Sequence, residues 1–137
     1  MTEHTEVSDE IVAALRAVCL ALPEVSEEQA WVGTRWVVRK KNFAHVVAID
    51  EGWPPAYARA ARTDGPVTVL TFRSSGPELD ALSSAGYPYF RPVWFPDIAG
   101  LVLEDDVDWD LVTELVRHSY CVMAPKKLAA LVDRPTA

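Results

Sequence analysis

Between residues 8 and 22 the apolar side chains fall at Ile11, Leu15, Val18, Cys19 and Leu22, spaced four, three, one and three apart. That spacing draws one stripe along a 3.6-residue period, so it predicts an amphipathic helix with one face toward a core. Ser8 stands where an N-cap belongs, Asp9 and Glu10 suit the positive end of the helix dipole, and Pro23 stops the helix. From Glu27 the period changes to two. Residues 27–33 (EEQAWVG) predict a short strand and residues 34–50 (TRWVVRKKNFAHVVAID) a β-hairpin. Its first arm places Trp36 and Val38 on one face and Arg35, Val37 and Arg39 on the other. Lys40, Lys41 and Asn42 are expected to form the turn, because asparagine tolerates positive φ.

Residues 50–66 break the pattern with Gly, Pro and Asp and predict a loop, within which AYARAAR can make a short helical turn. VTVLTF (67–72) predicts a strand, and SGPELDALSSAG (75–86) a helix with Pro77 in its first turn and Gly86 at its end. YPYFRPVWF (87–95) and AGLVLED (99–105) predict two strands joined at Pro96–Asp97, the prolines making the first an edge or irregular strand. Asp108 caps a further helix whose stripe is Leu111, Val112, Leu115 and Val116, and APKKLAALVD closes the chain with a short helix. Short antiparallel strands with segregated helices and no internal repeat mean one α+β domain over residues 1–137, its core at about 8–131.

Composition adds limits. With 137 residues, half of them hydrophobic, the chain can bury a core without staples. Cys19 and Cys121 are far apart and outside any metal-ligand spacing, so they predict free thiols in a reducing compartment. The acidic start MTEHTEVSDE lacks the basic and apolar regions of a signal peptide, and no apolar run reaches the ~18 residues of a membrane span. A cytoplasmic protein without membrane contact is the expectation. A pI near 4.9 argues against a general nucleic-acid coat protein. The net charge of −7 is unevenly spread, however: residues 35–73 carry +4 and the remainder −11.

The positive charge gathers in RWVVRKKNFAHVV, where Arg35, Arg39, Lys40 and Lys41 lie within seven positions. As a hairpin wing these side chains would contact phosphates, with Arg73 and Arg91 extending the patch. As an ordinary hairpin they would be a solvated turn whose lysines block edge pairing. Of five tryptophans, Trp36 and Trp94 fit a core, while Trp53 beside Pro54 and Pro55 fits the rim of a pocket. The acidic run EDDVDWD lacks the Ca²⁺-loop pattern, and a solvated helix start is its simpler role. His45 and His118 are the histidines available for acid–base work, yet His118 and its neighbour Ser119 do not face each other on a helix. No nucleophile elbow, zinc-protease motif, P-loop or dinucleotide fingerprint occurs, so no enzyme, cofactor or metal is expected.

Taken in order, CLALPEV, AWVG, KNFAHV, LTFRSSGPELDAL and GLVLEDDVDWDLVTELVRHSYCVMAPKKL resemble the MmcQ/YjbR family over roughly residues 8–131. The positions carrying the resemblance are Leu22–Pro23, Lys41–Phe43–Ala44, Leu70–Phe72, Ser119–Tyr120 and Lys127–Leu128. The resemblance implies a CyaY-like (frataxin-like) fold, an antiparallel sheet with helices packed on one face. It also implies a DNA-binding module with a double wing of two β-hairpins, for which Arg35, Arg39, Lys40, Lys41, Arg73 and Arg91 are the phosphate-contacting candidates. The alternative is a non-enzymatic module for a small molecule or protein partner, with a pocket lined by Trp53, Tyr57, Trp94, His118 and Tyr120. The Trp- and Pro-rich segment 50–66 is long for the family pattern.

Overall fold

The computed structural model describes residues 6–132. Eleven elements follow in order among them: α1 (Asp9–Cys19), β1 (Val25–Gln29), β2 (Thr34–Val38), β3 (Lys41–Ile49), α2 (Pro55–Ala61), β4 (Val67–Arg73), α3 (Gly76–Ala85), β5 (Tyr89–Phe90), β6 (Ile98–Leu103), α4 (Trp109–Met123) and α5 (Lys126–Ala129). The strands form one antiparallel sheet in the order β1-β2-β3-β4-β6-β5. This is a single α+β domain, as the patterning predicts. None of the described helices is long and apolar enough to cross a membrane.

The caps are where the sequence puts them. Ser8 Oγ accepts from the Ile11 N–H at 3.3 Å, and Asp108 Oδ1 accepts from the Asp110 N–H at 2.9 Å. These bonds satisfy orphan donors at the two helix starts. On α4 the buried positions are Val112, Leu115, Val116, Ser119 and Tyr120, while the expected stripe member Leu111 sits at its margin and is exposed.

One core lies between the sheet and the helices α1, α3, α4 and α5. It contains Trp36, Val38, Ala44, Val46, Leu70, Phe72 and Leu101 from the strands against Leu15, Cys19, Leu79, Val116, Tyr120 and Leu128. The alternate strand positions Val47, Ile49, Val69 and Val102 form a second cluster on the opposite face, covered by Ala58 and Tyr57 of α2. The central strands are therefore apolar on both faces, and a sheet apolar on both faces needs cover on both. The segment 50–66 supplies it, so α2 departs from the expectation of helices on one face only. Phe90 completes this cover: its ring lies against Gly100, where a Cβ would collide with it.

Two local details differ from the sequence expectation. The hairpin turn is Arg39–Lys40, with φ of 51° and 67°, and Lys41 and Asn42 already belong to β3. Two positive-φ residues make a tight turn whose twist matches that of the flanking strands, which a three-residue turn at Lys40–Asn42 would not. A bulge between Trp36 and Val37 then skips Phe43 in the register and turns its side chain onto the helical face. The strand expected over 87–95 shrinks to Tyr89–Phe90, and residues 91–97 run irregularly to β6. Pro92 and Pro96 cannot donate to a ladder, which accounts for the loss.

The register sorts the connections by end. The β2–β3 turn, the end of β4 at Arg73 and the 91–97 segment share one end of the sheet. The β1–β2 connection, the turn after β3 and the start of α4 share the other.

Candidate functional site

At the hairpin end, β1 lies beside β2 with Glu28 directly across from Arg35. The two side chains form an ion pair at 2.8 Å, a cross-strand match of opposite charges. Arg39 reaches back to Glu24, the residue before β1, with contacts of 2.7 and 3.2 Å. The hydrogen bond from Arg39 holds the Glu24 carboxyl below its ordinary range, and Lys127 of α5 adds to that lowering. Lys40 and Lys41 have no ion-pair partner among the described residues. Lys126 and Lys127, on the short helix that follows α4, bring two further charges to this end. Sequence reading passed over this pair. The signal was present as the doublet in APKKL, but its distance of more than eighty positions from the hairpin hid its placement.

Arg73 does not extend the patch as a free cation. Arg73 pairs with Asp97 at 2.7 Å, donates to the Asn42 carbonyl at 3.2 Å and lies over the Phe95 ring at 5.1 Å. Its side chain is only 15% exposed, so it ties β3, β4 and the 91–97 segment together. Arg91 is exposed, donates to the Pro96 carbonyl at 2.8 Å and has no ion-pair partner among the described residues, so it keeps its charge.

The five residues expected to line one pocket occupy three places. Tyr57 and Trp94 meet over the α2 face of the sheet, ring centroids 5.0 Å apart. There the Tyr57 hydroxyl also reaches His45 Nδ1 at 3.1 Å. His45 Nε2 lies 2.6 Å from the Val32 carbonyl. A carbonyl only accepts, so Nε2 carries the proton and Nδ1 accepts from Tyr57. Burial lowers the His45 pKa from its ordinary 6.5, which keeps this neutral form. Trp53 lies elsewhere, 5.9 Å from the Trp31 ring at the opposite end of the sheet from the hairpin turn. Tyr120 is in the helical-face core, its ring edge-on to Phe43 at 5.4 Å and its hydroxyl donating to the Pro23 carbonyl at 2.6 Å. His118, also on α4, is 3.6 Å from Glu78. The sheet separates these last two from Tyr57 and Trp94, a division that alternation along β3 and β4 determines and that spacing alone does not reveal.

The polar groups near His118 are arranged for structure. Ser74 donates to Glu78, and Glu78 in turn faces His118, so the carboxylate stands between hydroxyl and imidazole. An activated serine requires the imidazole in the middle. Ser119 Oγ accepts from the Arg73 N–H at 2.7 Å and donates to the Phe43 carbonyl, joining α4 to β3 and β4. Burial pushes the Cys19 thiol well above its ordinary range, away from the reactive thiolate. No three His, Cys, Asp or Glu side chains among the described residues converge on a point where a metal would sit.

The sequence model of the YjbR family matches residues 20–122. The chain belongs to the YjbR family. The YjbR match begins at the end of α1, takes in the whole sheet and closes within α4. It includes the Arg39–Lys40 turn, whereas Lys126 and Lys127 lie beyond it. No curated protein sequence is significantly similar to this YjbR chain.

Proposed function

We propose that the protein is a DNA-binding module that acts by binding and not by catalysis, engaging backbone phosphates with the hairpin end of its sheet. The observation that carries the proposal is the state of Lys40 and Lys41. They stand at and beside the apex of the β2–β3 turn without a carboxylate partner among the described residues, on the end that also receives α5 with Lys126 and Lys127. The double-wing reading gains support from the 91–97 segment, which returns β5 to β6 at that same end.

The contacts differ from those the sequence suggests. Arg35 is neutralised by Glu28 and Arg73 by Asp97, which leaves them as struts. Arg39 is shared with Glu24 and orients the turn. Lys40, Lys41, Lys126 and Lys127 carry the phosphate contacts, and such contacts give affinity without base selectivity. The alternative pocket of Trp53, Tyr57, Trp94, His118 and Tyr120 gains no support, because its members do not share one face.

Fluorescence anisotropy with a labelled duplex tests the proposal. Lys40→Glu combined with Lys41→Glu is expected to weaken binding by about a hundredfold or more at low salt. Equal affinity of wild type and the double variant, or no binding by wild type, contradicts it.

A further inference from the structure

At the end of the sheet opposite the hairpin turn, a cleft of about 930 Å³ opens between α1, the β1–β2 connection and the turn after β3. Its volume is in the range of small-molecule sites. Trp31 and Trp53 line it, and Trp31 is 89% exposed. Its ring is therefore open to a ligand entering the cleft. The two rings are 5.9 Å apart and inclined at 55°, so they form two adjoining walls and not a closed stack.

Among the described lining residues, the charge left after ion pairing is negative. Arg16 reaches the cleft but gives both guanidinium contacts to Glu27, at 2.9 Å each, and Glu27 also accepts from the Trp36 indole at 2.9 Å. That pair is internally neutral. The other charged side chains on the lining are Glu6 and Asp9, and Glu51 stands in the turn that carries Trp53. Aromatic faces and carboxylates both attract a cation, and among the described residues the lining offers an anion no unpaired positive group.

We propose that this cleft binds an organic ammonium cation, its N-alkyl groups held against Trp31 and Trp53 and its charge balanced by Asp9 and Glu6. The site is independent of the hairpin lysines. Gly33 shapes its wall: with φ of 72°, and with a Cβ there colliding with the Val46 carbonyl, no other residue fits this position.

The test is an NMR titration of the full chain with choline, following the tryptophan indole N–H signals. The expected result is saturable binding with a Kd on the order of 1 mM, weakened about tenfold in Trp31→Ala, where the Trp53 signal is followed. Trp31 is exposed, so this variant keeps the fold. The uncharged isostere 3,3-dimethylbutan-1-ol is expected to bind far more weakly than choline, and the Lys40→Glu/Lys41→Glu variant to bind choline like wild type. No saturation up to about 50 mM choline, an unchanged Kd in Trp31→Ala, or equal binding of the uncharged isostere overturns the proposal.

Discussion

His45 shows how one side chain sets a pH dependence. It is buried between the Val32 carbonyl and the Tyr57 hydroxyl, and burial lowers its pKa below 6.5. A depressed folded-state pKa means that the unfolded chain binds more protons between that pKa and 6.5. The stability contributed by neutral His45 is therefore complete above pH 6.5 and is lost as pH falls from there through the folded-state pKa. Urea denaturation at pH 7.5 and pH 5.5 should show a loss at the lower pH that shrinks in His45→Gln. The same loss in both proteins would assign the effect to other groups. Ser119 gives a second residue-level expectation. Its hydroxyl serves the Arg73 N–H and the Phe43 carbonyl inside the core. Ser119→Ala should cost about 2 kcal/mol in denaturant unfolding, since two buried backbone groups lose their partner. A cost below about 0.5 kcal/mol would show that the junction relaxes to find other partners.

Elements differ in how plainly the sequence announces them. The stripe Ile11–Leu15–Cys19, the cap at Asp108 and the β-branched-rich run VTVLTF of β4 depend on neighbours along the chain, and all three elements appear where expected. The turn falls at Arg39–Lys40, where no glycine or asparagine marks it, and not at Lys40–Asn42. The irregular path of 91–97 depends on Arg73, Asp97 and Phe95 meeting in space, a combination no local pattern carries. The candidate site follows the same rule. Lys40 and Lys41 were legible as charge. Their difference from Arg35 and Arg39 was not, because Glu28 and Glu24 reach the arginines only once β1 pairs with β2. The close approach of Phe90 to Gly100 likewise becomes visible only when β5 lies beside β6. Gly100→Ala should therefore displace Phe90 and lower stability by about 1–3 kcal/mol, the range for overpacking. An unchanged melting curve would mean the edge strand gives way freely.

Several of the lysines and carboxylates without an ion-pair partner among the described residues lie at opposite ends of the strands. Lys40, Lys41, Lys126 and Lys127 lie at the hairpin end, while Glu51, Glu104, Asp105 and Asp106 follow strands that finish at the other. A net charge of −7 is thus compatible with a positive end, and these acidic residues lie away from the hairpin end where DNA binding is proposed. This separation distinguishes a module that uses one end from a protein coated with positive charge. It also makes the salt dependence of binding the most direct test of the account. The affinity for a labelled duplex should be measured from about 20 to about 200 mM KCl, where screening and counterion release both change strongly. Four lysine–phosphate contacts predict a slope of log K against log salt of about −3.6. A slope near zero, or no binding at the lowest salt, would contradict the assignment of the hairpin end to DNA.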